Sequence, residues 1–148
     1  MEITLHNHQR KVCLSLPWLR QVAIRALDEC LRHPAFENAP LASLSNVEVS
    51  FVSDAAIARV HRRFMGIPGA TDVITFDHGE LVVSTETARS NARNYGRTLD
   101  EELVLYIVHG LLHLNGFEDK KPDDAENMRQ LQERILAKCL AESRPDET

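Results

Sequence analysis

From Thr98 to Gly116 the chain reads as one long helix, and this segment constrains the fold more than any other. Leu103, Val104, Ile107, Val108, Leu111 and Leu112 recur at helical spacing. Thr98-Leu99-Asp100-Glu101 spells a capping box: the threonine hydroxyl accepts from the third amide while the glutamate reaches back to the first. Asp100, Glu101 and Glu102 place negative charge in the first turn, where the helix dipole favours it. Gly116 supplies the left-handed residue that ends the helix. At about 100° per residue the apolar stripe lies opposite His109 and His113. The pattern therefore predicts one face in the core and another, shared with Glu102 and Tyr106, that carries titratable groups.

Residues four apart on a helix stack on one face, so His109 and His113 can share one metal ion. An oxygen donor just past the helix end would complete three of the four positions of a zinc site. Asp119 follows Gly116 in a short loop and is such a donor, with Glu118 the adjacent alternative. Histidines at this spacing also occur on ordinary solvated helix faces, so the pair alone is only a hypothesis. Gly110 stands where the peptidase pattern H-E-x-x-H has its glutamate, and the usual peptidase base is missing.

The remaining sequence supplies a domain around this helix. Glu2 to His6 reads as a short strand, and Pro17 suits the first turn of a helix to about Leu31 whose apolar positions include Trp18, Leu19, Val22 and Leu27. His33 to Ser45, with Pro34 and Pro40, reads as a loop. Val47, Val49 and Phe51 alternate with polar residues as in a half-buried strand, and Ser53 or Asp54 can cap a helix carrying Ile57 and Val60. Pro68-Gly69 marks a loop. Strands at Val73 to Phe76 and Leu81 to Ser84 flank a turn at Asp77-His78-Gly79, and a helix follows from Thr85 to about Asn94. A last helix from near Pro122 buries Met128, Leu131, Ile135, Leu136 and Leu140, and the polar tail after Glu142 is expected to fray. His6-Asn7-His8 superficially spells a nuclease label without its metal ligands and reads as strand-end polarity. His33, His61 and His78 read as surface residues.

Composition bounds the function classes. A chain of 148 residues with 43% hydrophobic and 26% charged residues is expected to form one domain, 1–148, with a substantial core. No leader pattern opens it and no apolar run approaches membrane length, so a cytoplasmic setting without membrane contact is expected. Cys13, Cys30 and Cys139 form neither a ribbon nor a disulfide framework, and each is expected as a small core residue. A net charge of −5 argues against a general nucleic-acid coat but leaves room for local basic patches. Arg59, Arg62 and Arg63 cluster before Gly66, and Arg89, Arg93 and Arg97 would form a stripe if helical. Aromatic content is 5%, so stacking on several unpaired bases is not expected to dominate binding.

The segment His109-Gly110-Leu111-Leu112-His113-Leu114-Asn115-Gly116-Phe117-Glu118-Asp119 resembles the H-G-x-L-H-L-x-G-[YF]-D-H motif of YbeY-type proteins, bacterial rRNA maturation factors regarded as metal-dependent endoribonucleases. Gly66 and Thr71-Asp72-Val73-Ile74-Thr75-Phe76 resemble that family's R-G-x-x-x-x-T-D-V-L-S-F segment. Gly79-Glu80-Leu81-Val82-Val83-Ser84, followed by Glu86 and Ala88, resembles its G-D-I-V-I-S strand, and Met128-Arg129 with Glu133 its M-R-x-x-E helix. Order and spacing agree from about Val47 to Leu140. Two positions depart: Asp119 stands where the family has a third histidine ligand, and Met65 where it usually has an arginine.

Together these readings predict an α+β fold: a single domain with a small mixed β-sheet packed by helices and the metal-site helix in the centre. The resemblance implies a single-strand endoribonuclease acting in rRNA maturation, on ribosomal RNA and in contact with the ribosome. It implies one divalent metal per chain, zinc foremost, held by His109, His113 and Asp119. Arg62 and Arg63 are the candidate substrate-binding residues in place of the missing arginine. The general base is unassigned, with Glu86 and Glu118 as candidates. Two rivals are a metal-dependent hydrolase of another substrate, and a ribosome-assembly or RNA-binding factor whose metal is structural.

Overall fold

The computed structural model describes residues 1–142, so the expected fraying after Glu142 lies outside the described residues. Four strands, β1 (Glu2–Asn7), β2 (Asn46–Val52), β3 (Val73–Phe76) and β4 (Glu80–Ser84), form one sheet in the order β1-β2-β4-β3. β1 and β4 both run parallel to β2, while β3 runs antiparallel to β4 across the tight turn at Gly79. Gly79 has φ +105°, and an added Cβ would lie 2.9 Å from the Asn46 carbonyl oxygen, so the turn requires glycine. The mixed sheet and its helices match the α+β expectation.

Five helices surround the sheet: α1 (Leu16–Leu31), α2 (Asp54–Met65), α3 (Thr85–Tyr95), α4 (Leu99–Leu114) and α5 (Pro122–Glu142). The alternating side chains of β4 divide between two cores. Leu81 and Val83 join Val47, Val49 and Phe51 of β2 beneath α1, α4 and α5, whereas Val82 packs with Ile74 and with Ile57 of α2 on the other side. Trp18 packs partly buried against the larger core, as expected. The stretch from His33 to Ser45, read as loop, contains a 3-10 turn at Pro40–Ser43 that seats Leu41 in the core. Among the described residues no helix is long and apolar enough to cross a membrane.

Helix α4 begins with the expected capping box, Thr98 Oγ1 accepting from the Glu101 amide and Glu101 accepting from the Thr98 amide. The expected two-faced helix is not what forms. α4 is covered nearly all round, and Glu102 and Tyr106 are buried rather than solvated. α3 and the turn after it cover that face: Asn91 donates to the Tyr106 hydroxyl at 2.8 Å, and Arg97, just beyond the helix, lies 3.7 Å from Glu102. Burial of the phenol and its bond to Glu102 push the Tyr106 pKa upward, only partly opposed by Asn91. Only the last two turns of the face, at His109 and His113, open to solvent.

Gly110 explains how α4 comes so close to the sheet. A Cβ there would lie 2.6 Å and 2.9 Å from the two terminal carbons of Leu81, which is fully buried. No glutamate of a peptidase pattern could occupy this position, because it faces the core. Asn115, buried just past the helix, donates to the Cys30 carbonyl at 2.6 Å and accepts from the Ala35 amide, joining the ends of α4 and α1. Cys30 and Cys139 are core residues as expected, but Cys13 is exposed because it precedes α1 on a surface segment.

Candidate metal centre

Helix α4 sets the two imidazoles one turn apart with their rings edge to face, centroids 4.6 Å apart. Their Nε2 atoms are separated by 3.0 Å. The loop after Gly116 returns Asp119 so that its Oδ2 lies 3.4 Å from Nε2 of His113 and 3.7 Å from Nε2 of His109. Gly116, at φ +99°, permits the turn, and a side chain there would strike Phe36, which packs over it. Between the two open alternatives, Asp119 joins the histidines, while Glu118 stays exposed at the cleft edge.

Both Nδ1 atoms are engaged on the far side of the rings. Nδ1 of His109 bonds Gln132 Oε1 of α5 at 2.9 Å, and Nδ1 of His113 bonds the Phe117 carbonyl at 2.9 Å. Each partner is an acceptor, so each Nδ1 carries the proton and each Nε2 presents a lone pair. Two such nitrogens 3.0 Å apart beside a carboxylate form a group that a single cation can share. With zinc–ligand bonds of about 2.0–2.2 Å, tetrahedral donors stand about 3.3–3.6 Å apart. The three observed separations bracket that edge, so this group could hold a metal ion.

The centre sits in an open cleft of about 670 Å³ lined by residues of β3 and of the loop after α4, with Met65 and Phe36 at its margins. Its charge is mostly negative: Asp72, Asp77, Glu118 and Asp119 line it against Lys120. The expected basic residues are elsewhere. Arg62 and Arg63 are exposed in the last turn of α2 and are not among the lining residues, whereas Met65 is. The arginine stripe does not form, since α3 ends at Tyr95 and Arg97 pairs with Glu133 at 2.7 Å. Glu86 accepts from the Asp54 amide at the start of α2, away from the cleft.

Two residues of the site, Gln132 and Lys120, lie outside every motif of the sequence. Gln132 did leave a signal: it falls four residues after Met128, on the inward face of α5, where an uncharged polar group implies a specific partner. Lys120 left none, because its place in the cleft depends on where the loop returns.

Three donors converging in an open cleft, with room for a further ligand, is the arrangement by which metal-dependent hydrolases hold their ion. A family model described as Endoribonuclease YbeY matches residues 4–140. The chain belongs to that family. It is 35% identical over 132 residues to Endoribonuclease YbeY of Beutenbergia cavernae, covering 78% of this chain and 82% of that one. Identity to the Mycolicibacterium smegmatis relative of the same name is 32% over 148 residues, covering 87% and 78%. The Myxococcus xanthus relative is 41% identical over 108 residues, 63% of this chain, and the match spans only 37% of that longer protein. The solution structure of TM1509 from Thermotoga maritima shares the fold, with a TM-score of 0.62 at 23% identity over 100% of this chain and 99% of that one.

Proposed function

We propose that this chain is a metal-dependent endoribonuclease that cleaves single-stranded ribosomal RNA during rRNA maturation, in contact with the ribosome. The observation that carries the reading is the pair of imidazoles with both Nδ1 atoms engaged and both Nε2 atoms aimed at one point beside Asp119. His109, His113 and Asp119 would hold one divalent ion, and the two-nitrogen, one-oxygen donor set suits zinc. When bound, such an ion acidifies water and polarises a phosphoryl oxygen.

The chain's own residues do the rest. Lys120, which lines the cleft where Arg62 and Arg63 do not, meets phosphate charge there. Of the two candidate bases, Glu118 lines the cleft, and Glu86 is occupied in capping α2. The acidic lining repels a polyanion until a cation is bound, so the metal serves RNA binding as well as chemistry. A closed structural site takes four protein donors, and the group found here has three, which favours catalysis over the assembly-factor reading.

Elemental analysis of the purified chain, paired with cleavage of a structured rRNA fragment with and without chelator, tests this. One metal per chain and loss of cleavage on chelation are expected, along with loss of metal in His113→Ala and tighter zinc in Asp119→His. Undiminished cleavage by the chelated protein, or stoichiometric metal in His113→Ala, would overturn the assignment.

A further inference from the structure

Beside the metal cleft an aromatic cluster runs outward from the smaller core, where Phe76 packs, to a ring that lies in solvent. Phe64 is 59% exposed at the end of α2. Its ring meets Phe76 edge to face at 5.4 Å, and Phe76 stacks with His78 at 5.7 Å and 25° between planes. The Arg63 guanidinium lies 5.4 Å from the centre of the Phe64 ring. Arg62 and Arg63 enter no ion pair found among the described residues. Phe64 therefore does not fill a core; it is held in place from behind and presents its ring to solvent.

Continuity ties this cluster to the metal centre. Met65, the next residue after Phe64, lines the cleft, as do Thr75 and Asp77 on either side of Phe76. A strand leaving the cleft past Met65 would next meet Phe64 and the two arginines, which precede it on α2. Exposed aromatic rings interleaved with unpaired cations are what sequence-tolerant binding of single strands requires, since every base has a π-face and every linkage a charge. The charge also selects the occupant. In a chain of net charge −5 with an acidic cleft, Arg62 and Arg63 put two cations beside Phe64, across from Asp77 and Glu80, and that pair suits a polyanion and disfavours a second copy presenting the same arginines.

The geometry points to Phe64 as the stacking platform for one unpaired base of the RNA flanking the scissile linkage, with Phe76 and His78 buttressing it and Arg62 and Arg63 meeting the adjacent phosphates. This rests on the RNA-cleaving reading above and adds a specificity element to it: single strands are accepted because a duplex cannot surrender a base to the ring.

The metal-loaded full chain would be titrated with a fluorescent single-stranded RNA, with the same RNA carrying abasic sites, and with a duplex. Phe64→Ala is expected to weaken single-strand binding about tenfold, and Phe64→Trp to preserve it. Abasic RNA should bind the parent more weakly by a similar factor and show no further loss with Phe64→Ala. Thermal stability and metal content should not change, because the side chain is exposed. Equal affinity of Phe64→Ala for intact RNA, or an equal loss on intact and abasic RNA, would overturn the platform while leaving cleavage intact. Loss of a dimer in sedimentation on Phe64→Ala would also overturn it, by assigning the ring to self-association. A parent chain that binds RNA with this pattern but never cleaves it would instead overturn the proposed activity and leave the platform standing.

Discussion

Replacing Gln132 by alanine isolates the part of the site that lies on another helix. Gln132 accepts the Nδ1 proton of His109 at 2.9 Å and touches no other member of the donor group. Two costs follow from losing it. A neutral hydrogen bond contributes about 0.5–1.5 kcal/mol net. In addition, the His109 proton becomes free to move to Nε2, the atom that must stay bare for a metal. Partners of this kind are worth about 10–100-fold in metal affinity, or about 1.4–2.7 kcal/mol. Gln132 is only half-buried, so its removal leaves the fold almost untouched. Competition with a chromophoric chelator at neutral pH should show zinc affinity falling by at least about tenfold in Gln132→Ala. Gln132→Glu, with a stronger acceptor at the same place, should retain or exceed the parent affinity. His113 offers a built-in comparison, because its Nδ1 partner is the Phe117 carbonyl, which no side-chain replacement removes. If Gln132→Ala binds zinc within about twofold of the parent, the orienting argument fails and the ring of His109 is held by packing alone.

Gly110→Ala should destabilise despite the better helix propensity of alanine. The gain is at most about 1 kcal/mol, whereas forcing a methyl to 2.6 Å from the fully buried Leu81 costs about 1–3 kcal/mol, and a melting temperature lowered by a few degrees would show strain winning; an unchanged or raised value would show that Leu81 yields freely. The Glu29 carboxylate, held below its usual range first by the hydrogen bond from Lys138 and then by the charges of Lys138 and Arg32 against the opposing effect of burial, contributes stability that is present above its unfolded pKa and lost as pH falls through the folded one. Urea titrations of Lys138→Met against the parent should therefore differ near pH 7 and converge under acid; a gap constant with pH would assign the effect to packing of the lysine stem. Met65→Arg places a cation at the cleft margin and should tighten RNA binding, most visibly at low salt, where unchanged affinity would show that Lys120 and the arginines of α2 already meet the phosphates.

What could be read from the sequence was whatever depends on local chemistry. The α4 capping box, the Ser53 cap of α2, the alternation in β2 and the glycine stop at Gly116 each arise within a few residues, and each forms in the expected place. The errors share a different cause. Glu102 and Tyr106 look solvated on a helical wheel, and nothing local announces that α3 and the turn after it fold over them with Asn91 and Arg97 as partners. Likewise, spacing in arginine triplets carries no information about where the chain turns, and Gly96 breaks the stripe by ending α3 before Arg97. The cleft's lone lining cation, among the described residues, is supplied by a loop, where sequence patterning is weakest.

The three metal donors are therefore unequal, and the inequality suggests where affinity is set. His109 and His113 stand on a helix locked on nearly every side, each with its far nitrogen engaged, so little ordering is left to be done when a cation arrives. Asp119 stands at a fitting distance from both nitrogens but sits on an exposed loop, with no helix to hold it there. The cost of ordering that loop falls on the third donor alone. Exchanging Asp119 for histidine changes the donor's charge and its reach together. Moving the carboxylate one residue back, by pairing Asp119→Ser with the native Glu118, changes the reach alone. If the loop sets affinity, zinc binding measured by chelator competition should weaken in the second exchange while it tightens in the first, because a carboxylate in the wrong place still leaves the ordering undone; a second exchange that binds zinc as the parent does would show that the loop's placement of the donor does not matter.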